Sequence, residues 1–139
     1  MTSAVRGRKR APEHFEQVEL LVLRATPCCV ALFATDVASL VEASAFTGEC
    51  HDVEPLLHVV ARDTSEAPRV ILLREAPLGP GLGVSATLHL HKLPRQSLLA
   101  WPSAWISRGP YQSVMLEEEL ATTLVLDSGR LVRRLRSLV

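Results

Sequence analysis

Cysteine, histidine and aspartate follow one another at positions 50–52, and these are the residue types of a nucleophile, a base and an acid. Consecutive side chains diverge in helices and in strands, so a thiol and an imidazole usually meet from distant positions in a chain. Asp52 also has a simpler role, because it precedes an apolar segment whose free amides its carboxylate can cap. If Cys50 is a nucleophile, the base is therefore His58 or His89 rather than the adjacent His51.

Two further histidines, His89 and His91, alternate along a predicted strand and share one of its faces. That spacing can place two imidazoles on one metal ion, but zinc needs more ligands, and Cys50, His51 or Asp52 would have to be brought alongside by the fold. The alternative function is thus a small thiol- or metal-dependent enzyme centred on Cys50 and His89/His91. Two partly solvated histidines on the outer face of a strand are the simpler interpretation. We predict no catalytic residue, no metal and no cofactor.

A glycine-rich segment, residues 79–83, has the composition of a phosphate loop without its arrangement. A dinucleotide-binding loop follows a strand and opens a helix whose amides hold the anion, whereas this segment leads into another predicted strand. The Gly-Lys-Ser/Thr sequence is absent as well. The segment is therefore predicted to connect two strands, and the sequence identifies no small-molecule substrate.

Both ends of the chain are basic, while its middle is acidic. Residues 1–10 and residues 130–139 each carry four basic residues and no acid, so the other 7 basic residues stand against all 15 acids. Such ends suit a nucleic acid or an acidic protein surface, which includes the acidic middle of the chain itself. The residues predicted to make these contacts are Arg6, Arg8, Lys9, Arg10, Arg130, Arg133, Arg134 and Arg136.

Large apolar side chains near the C-terminus suggest a protein interface. Trp101, Trp105 and Tyr111 lie within a proline-interrupted stretch, and large aromatics on irregular backbone either anchor an interface or cover a core. The closing segment repeats leucine at spacings of four and three residues, opposite four arginines, as in an amphipathic helix. The predicted interface residues are Trp101, Trp105, Tyr111, Leu131, Leu135 and Leu138.

Length and composition indicate one globular domain. The chain has 139 residues, of which 47% are hydrophobic and 22% charged. No apolar run approaches the roughly 20 residues that cross a bilayer, so we expect no membrane association. Three cysteines cannot all pair within one chain, and no secretory signal precedes them. We therefore expect free thiols and an intracellular location, nuclear or cytoplasmic, while the arginine-rich start leaves a mitochondrial address open.

Hydrophobic periodicity predicts an α+β fold, in which an antiparallel β-sheet has its helices packed on one face. The predicted element order is β-β-α-α-β-β-(β)-α-α. Strands are predicted at 18–25, 28–35, 70–74 and 84–93 with an edge strand within 97–106, and helices at 36–48, 52–62, 111–126 and 130–139.

Two parts of the chain are distinguished: a disordered basic arm over residues 1–12, and a single α+β domain over residues 13–139 that ends in an amphipathic basic helix. No set of residues is forced together by spacing into a catalytic centre. The sequence therefore favours a non-catalytic assembly subunit of a larger complex, in which a protein partner or a second copy binds the apolar face. Nucleic acid is a further partner that the basic ends could contact.

Overall fold

The computed structural model describes residues 16–117 and 121–138, and these residues fold mainly into β-strands. The strands are β1 (Gln17–Leu23), β2 (Ala25–Thr26), β3 (Cys29–Phe33), β4 (Val37–Glu42), β5 (Cys50–Asp52), β6 (Val60–Ala61), β7 (Thr64–Leu73), β8 (Gly81–Ala86), β9 (Leu88–Pro94), β10 (Leu99–Ala100), β11 (Tyr111–Glu117) and β12 (Ala121–Leu126). The helices are α1 (Val53–Leu56) and α2 (Ser128–Arg136), and short 3-10 turns cover Ala34–Asp36, Ala43–Ala45, Arg95–Ser97 and Ser103–Arg108.

Within the described ranges, the strands form two main sheets and one small ribbon. The first sheet has six strands in the order β9-β1-β3-β12-β11-β10, and the second has four in the order β4-β7-β8-β5. Strands β2 and β6 form the ribbon. Most neighbours are antiparallel, whereas β12 pairs with β3 and β5 pairs with β8 in parallel.

The first sheet buries side chains on both faces. Along β1, Leu20 and Val22 face one side and Leu21 and Leu23 face the other, and all four are buried. The side of Leu20 belongs to a cluster drawn from the strands of this sheet: Val18, Leu20, Val22, Cys29, Ala31, Leu93, Met115 and Val125. A sheet encloses its own residues only by curling. The turn Arg95–Ser97 agrees with this, because it joins β9 and β10, the two opposite edges.

The other face of the first sheet packs against the second sheet and α2. One cluster joins all three and includes Leu21, Leu23, Val30, Leu32, Ile71, Leu73, Leu82, Val84, Leu126, Leu131 and Leu135. Every one of these side chains is at most 7% exposed. The two sheets and the terminal helix therefore share one continuous core.

Several predicted elements are confirmed. Strands β1 and β3 largely coincide with the strands predicted at 18–25 and 28–35, and they pair antiparallel, with Leu21 opposite Leu32. Residues 70–74 belong largely to β7, and the 84–93 segment becomes two strands, β8 and β9. The predicted amphipathic helix at the C-terminus is α2.

The predicted α+β class is wrong, because three of its four predicted helices are strands or a single turn. The segment 36–48 holds β4, which pairs with β7 and sets Leu40 opposite Ile71. Its apolar spacing fits a helix, but pairing with β7 overrides that local preference. The segment 52–62 contains only the one-turn helix α1, and the side chain of Asp52 accepts no capping hydrogen bond.

The helix predicted over residues 111–126 is also wrong, since the described part of this segment forms the antiparallel pair β11 and β12. Tyr111, Ser113 and Met115 are buried at a period of two, which is the period of a strand. Val114 and Leu124 lie opposite each other across the two strands.

The arm predicted over residues 1–12 lies outside the described residues, as do Glu118 and Glu119. Among the residues that are described, no helix is long and apolar enough to span a membrane.

A buried carboxylate closes the end of the second sheet. Glu54, on α1, is 7% exposed, and its Oε2 accepts hydrogen bonds from the backbone amides of Ser85 at 2.9 Å and Ala86 at 3.0 Å. These amides lie at the end of β8, where the register with β7 is irregular between Thr64 and Arg69. The side chain of Glu54 thus supplies the acceptor for two amides at the end of β8.

Removing this carboxylate should unfold the protein more easily. We expect Glu54→Ala to lower the free energy of unfolding by about 3 kcal/mol, because two amides at the end of β8 lose a charged acceptor. Glu54→Gln keeps an acceptor oxygen and should cost less than the alanine variant. Glu42→Ala, at an exposed position on β4, is the control, with a cost below about 0.5 kcal/mol. Urea denaturation measures all three, and equal costs for Glu54→Ala and Glu42→Ala would contradict the assigned role.

Candidate protein interfaces

Three aromatic side chains meet beside the terminal helix. The ring of Trp101 lies in the middle, with its centroid 5.4 Å from that of Trp105 and 5.1 Å from that of Tyr111. Both distances are favourable for edge-to-face and tilted pairs. The indole Nε1 of Trp101 donates to the carbonyl of Trp105 at 2.8 Å, and its backbone amide donates to the carbonyl of Gln112 at 2.9 Å. The proline-interrupted segment is therefore fixed onto β11.

Exposure increases stepwise across this cluster. Tyr111 is 7% exposed, Trp101 is half-buried against the shared core, and Trp105 is 44% exposed. Gly109 allows the arrangement, because its φ of 151° suits glycine and a Cβ there would overlap the ring of Tyr111. The cluster consequently covers the core with Tyr111 and Trp101 and presents Trp105 to solvent.

Helix α2 lies against the same cluster and is positioned at its first turn. Asp127 caps the helix, since its carboxylate accepts from the amide of Arg130 at 3.1 Å. Leu131 and Leu135 are 0% exposed on the inner face. The guanidinium of Arg130 donates to the carbonyl of Tyr111 at 2.8 Å, which joins the helix to the aromatic cluster.

The outer face of α2 presents Arg133, Arg134 and Arg136, all exposed. No carboxylate of the described residues forms an ion pair with any of the three. Burial and the neighbouring Cys28 raise the pKa of the Tyr111 phenol, whereas Arg134 acts in the opposite direction. Arg134 follows Arg130 by one helical turn, so both lie on the side of α2 that contacts Tyr111.

The hydrogen bond from Arg130 to Tyr111 places one side of α2 next to the aromatic cluster, and we name the two together the aromatic–arginine surface. Its members are Trp101, Trp105, Tyr111, Arg133 and Arg134, whereas Arg136 lies about 160° around the helix from Arg134. Two groups that the sequence analysis selected for separate reasons are thus brought together. That the surface binds a partner stays a prediction.

The start of α2 is surrounded by acids. The hydroxyl of Ser128 donates to Glu75 at 3.0 Å, next to the capping residue Asp127. Asp36 lies within the influence of both carboxylates. Burial, then Glu75 and Asp127, raise the pKa of Asp36, and Arg74 opposes them.

A groove of about 500 Å³ lies between the two sheets, on different elements from the aromatic–arginine surface. Its apolar lining consists of Leu21, Ala34, Val37, Leu40, Ala86, Leu88 and Leu90. Its polar lining consists of Ser65, Arg69, Thr87 and His89. Most residues that line the groove are therefore apolar, and Arg69 is the cationic residue among its polar ones.

Two strand edges border this groove. Strand β4 pairs only with β7, and β9 pairs only with β1, within the part of the chain that the structure describes. Each strand contributes an exposed leucine, Leu40 at 37% and Leu90 at 59%. Within the described residues, the groove therefore combines two strand edges with apolar side chains.

The residues of the enzyme alternative are not assembled into a site. His89 and His91 do share a face of β9, with ring centroids 6.4 Å apart, while Cys50 lies on β5 at the far edge of the second sheet. No group of three or more His, Cys, Asp or Glu residues among those described could hold a metal ion. His51 hydrogen-bonds Glu49 at 2.8 Å.

The thiol and the imidazole are also poorly tuned for catalysis. Burial and the nearby Asp52 raise the pKa of Cys50, which disfavours the reactive thiolate. Burial, Arg24 and His91 lower the pKa of His89. The raised pKa of Cys50 keeps its thiol protonated. In addition, no hydrogen bond joins this thiol to a base among the described residues.

The remaining predicted interface residues have different fates. Leu131 and Leu135 are fully buried in the shared core, so they offer no surface to a partner, whereas Leu138 is 52% exposed. Arg6, Arg8, Lys9 and Arg10 lie outside the described residues. The groove was not predicted from the sequence, because Leu40 lies in a segment predicted as a helix and the approach of β4 to β9 depends on long-range topology.

No protein-family model matches this chain, and no curated protein matches it. Among solved structures, the chain is similar to the crystal structure of the scaffolding protein TtCheW from Thermoanaerobacter tengcongensis, with a TM-score of 0.60 and 13% sequence identity. The similarity covers 81% of this chain and 90% of TtCheW. At this level of identity, the comparison shows a common fold.

Shortening a buried leucine of α2 should destabilise the protein, whereas shortening the exposed Leu138 after the helix should not. We expect Leu135→Ala to lower the free energy of unfolding by about 2–5 kcal/mol, because it leaves a cavity in the shared core. Leu138→Ala removes the same atoms from an exposed position and should cost below about 0.5 kcal/mol. Thermal and urea unfolding compare the two. A cost for Leu138→Ala as large as that for Leu135→Ala would contradict the packing of α2.

Neutralising Asp36 should stabilise the protein at neutral pH. Its pKa is raised on folding, so protonation stabilises the folded state below the ordinary value of 3.8, and this contribution is lost as the pH rises through the raised pKa. Asp36→Asn imitates the protonated form and should raise the melting temperature at pH 7, with the gain vanishing in acid. Asp63→Asn removes the same charge from an exposed position as a control. A lower melting temperature for Asp36→Asn at pH 7 would refute the repulsion among these acids.

Proposed function

We propose that this chain is a non-catalytic scaffold that binds protein partners. The observation that carries the proposal is the apolar groove bordered by the edges of β4 and β9. The fold supports it, because the similar structure TtCheW is described as a scaffolding protein. No reactive group is needed for this function.

The groove suits an extended segment of a partner protein. A peptide that adds to a strand edge gains main-chain hydrogen bonds, and apolar pockets then select its alternate side chains. Here β9 supplies the edge, while Leu40 and Leu90 supply apolar contacts on opposite sides. The expected occupant is an extended, mainly apolar segment, because most of the lining is aliphatic.

A scaffold needs more than one surface, and this chain offers a second candidate. The aromatic–arginine surface uses α2 and the segment before β11, whereas the groove uses β4, β7 and β9. The two features share no residue. One partner in the groove therefore leaves the other surface accessible.

The alternatives have less support. The enzyme centred on Cys50 and His89/His91 lacks an assembled site in the described residues. Neither the nucleic-acid hypothesis nor a nuclear or mitochondrial address gains support from the comparison with TtCheW. The intracellular location stays a prediction.

Site-specific crosslinking tests the groove. A photoreactive residue at Leu90, in a tagged copy expressed in its native cell, should give a discrete crosslinked protein after irradiation. The control is the same residue at Leu78, which is 90% exposed and lies outside the groove. Leu40→Asp should reduce the Leu90 crosslink by about tenfold or more, since an unpaired charge would be desolvated in the complex.

Other outcomes of this experiment would contradict the proposed function. If Leu90 gives no crosslink, or if Leu78 gives the same pattern of products, the groove is not a partner-binding site. If nucleic acid is the crosslinked species, the protein-scaffold proposal is overturned.

A further inference from the structure

The aromatic–arginine surface has the arrangement of a protein interface. Interfaces concentrate Trp, Tyr and Arg, with an aromatic anchor near the centre and a polar rim. Here Trp105 projects to solvent from a base formed by Trp101 and Tyr111. Because Trp101 Nε1 is already bonded to the Trp105 carbonyl, the anchor is held in place before a partner arrives.

The charge on the side of α2 next to the aromatic cluster is one-sided. Arg133 and Arg134 are exposed and form no ion pair with a carboxylate of the described residues. Arginines in the last turn favour the dipole of α2, but that effect does not explain the exposed Trp105. A complementary partner therefore carries acidic residues.

The aromatic geometry favours a protein over a nucleic acid. Single-stranded nucleic acids stack successive bases on successive open rings. In this cluster Tyr111 is buried and Trp101 is half-buried, so Trp105 alone of the three is strongly exposed. One exposed ring suits one apolar side chain of a partner.

We infer that the aromatic–arginine surface binds an acidic segment of a partner protein, with an apolar residue of that segment against Trp105 and its carboxylates on Arg133 and Arg134. This inference rests on the proposed scaffold function and names the partner chemistry for its second surface. The attraction is electrostatic in part, so binding weakens as ionic strength rises.

A synthetic peptide tests the inference with the full chain. The probe is a short fluorescein-labelled peptide of glutamates with a central leucine, followed by fluorescence anisotropy at low and high salt. Arg133→Gln/Arg134→Gln should weaken its binding about three- to tenfold, because each exposed ion pair contributes modestly. Trp105→Ala should weaken it by about tenfold or more.

The matched control changes the same charge elsewhere. Arg62→Gln/Lys92→Gln removes two exposed cations outside the surface and should leave the affinity within about twofold once long-range attraction is screened at physiological salt. A peptide with glutamine in place of glutamate should bind at least about tenfold more weakly, as expected when several charged contacts are lost together. Circular dichroism confirms that each variant is folded.

Three results would overturn the inference: no binding of the acidic peptide, equal losses for the surface and control variants, or insensitivity to Trp105→Ala in a folded protein. A single-stranded oligonucleotide that binds the same residues more tightly than the peptide would also overturn it. Failure here together with a crosslink from Leu90 would leave the scaffold proposal standing, whereas failure of both would remove the two together.

Discussion

The fold depends on burying both faces of β1 and β3 at once. Leu20 and Val22 fill the curled interior of the first sheet, while Leu21 and Leu23 fill the core shared with the second sheet and α2. A fully buried leucine or valine contributes about 1.5–3 kcal/mol relative to an exposed one. These two strands therefore connect the two cores, and β11 and β12 also contribute side chains to both.

The sequence predicts elements well where local and long-range preferences agree. The residues of β1 and β3 are almost continuously apolar, so both faces of these strands must be buried. The spacing of leucine and arginine along α2 matches the period of a helix. Residues 37–42 and 111–126 carry apolar spacings that suit a helix as well as a strand. The first segment pairs with a strand distant in sequence, with Ile71 opposite Leu40, and β12 of the second segment pairs with the distant β3, so no local pattern contains these partners.

The candidate sites divide in the same way. Trp101, Trp105 and Tyr111 could be selected as interface candidates because large aromatics are rare in this chain and these three lie close together in sequence. Leu131 and Leu135 were also predicted to face a partner, but their side of α2 packs into the shared core. The groove arises where β4 of one sheet approaches β9 of the other, so it exists only at the level of topology.

The edges of β4 and β9 also expose the protein to aggregation. A strand edge that can accept a foreign peptide can equally accept a neighbouring copy, which is how sheet proteins begin to aggregate. On β9, Lys92 is exposed and Pro94 closes the strand, and on β4 the exposed Glu42 ends it. Charge and proline at such positions discourage edge-to-edge pairing between copies, so these few side chains act against aggregation at both edges.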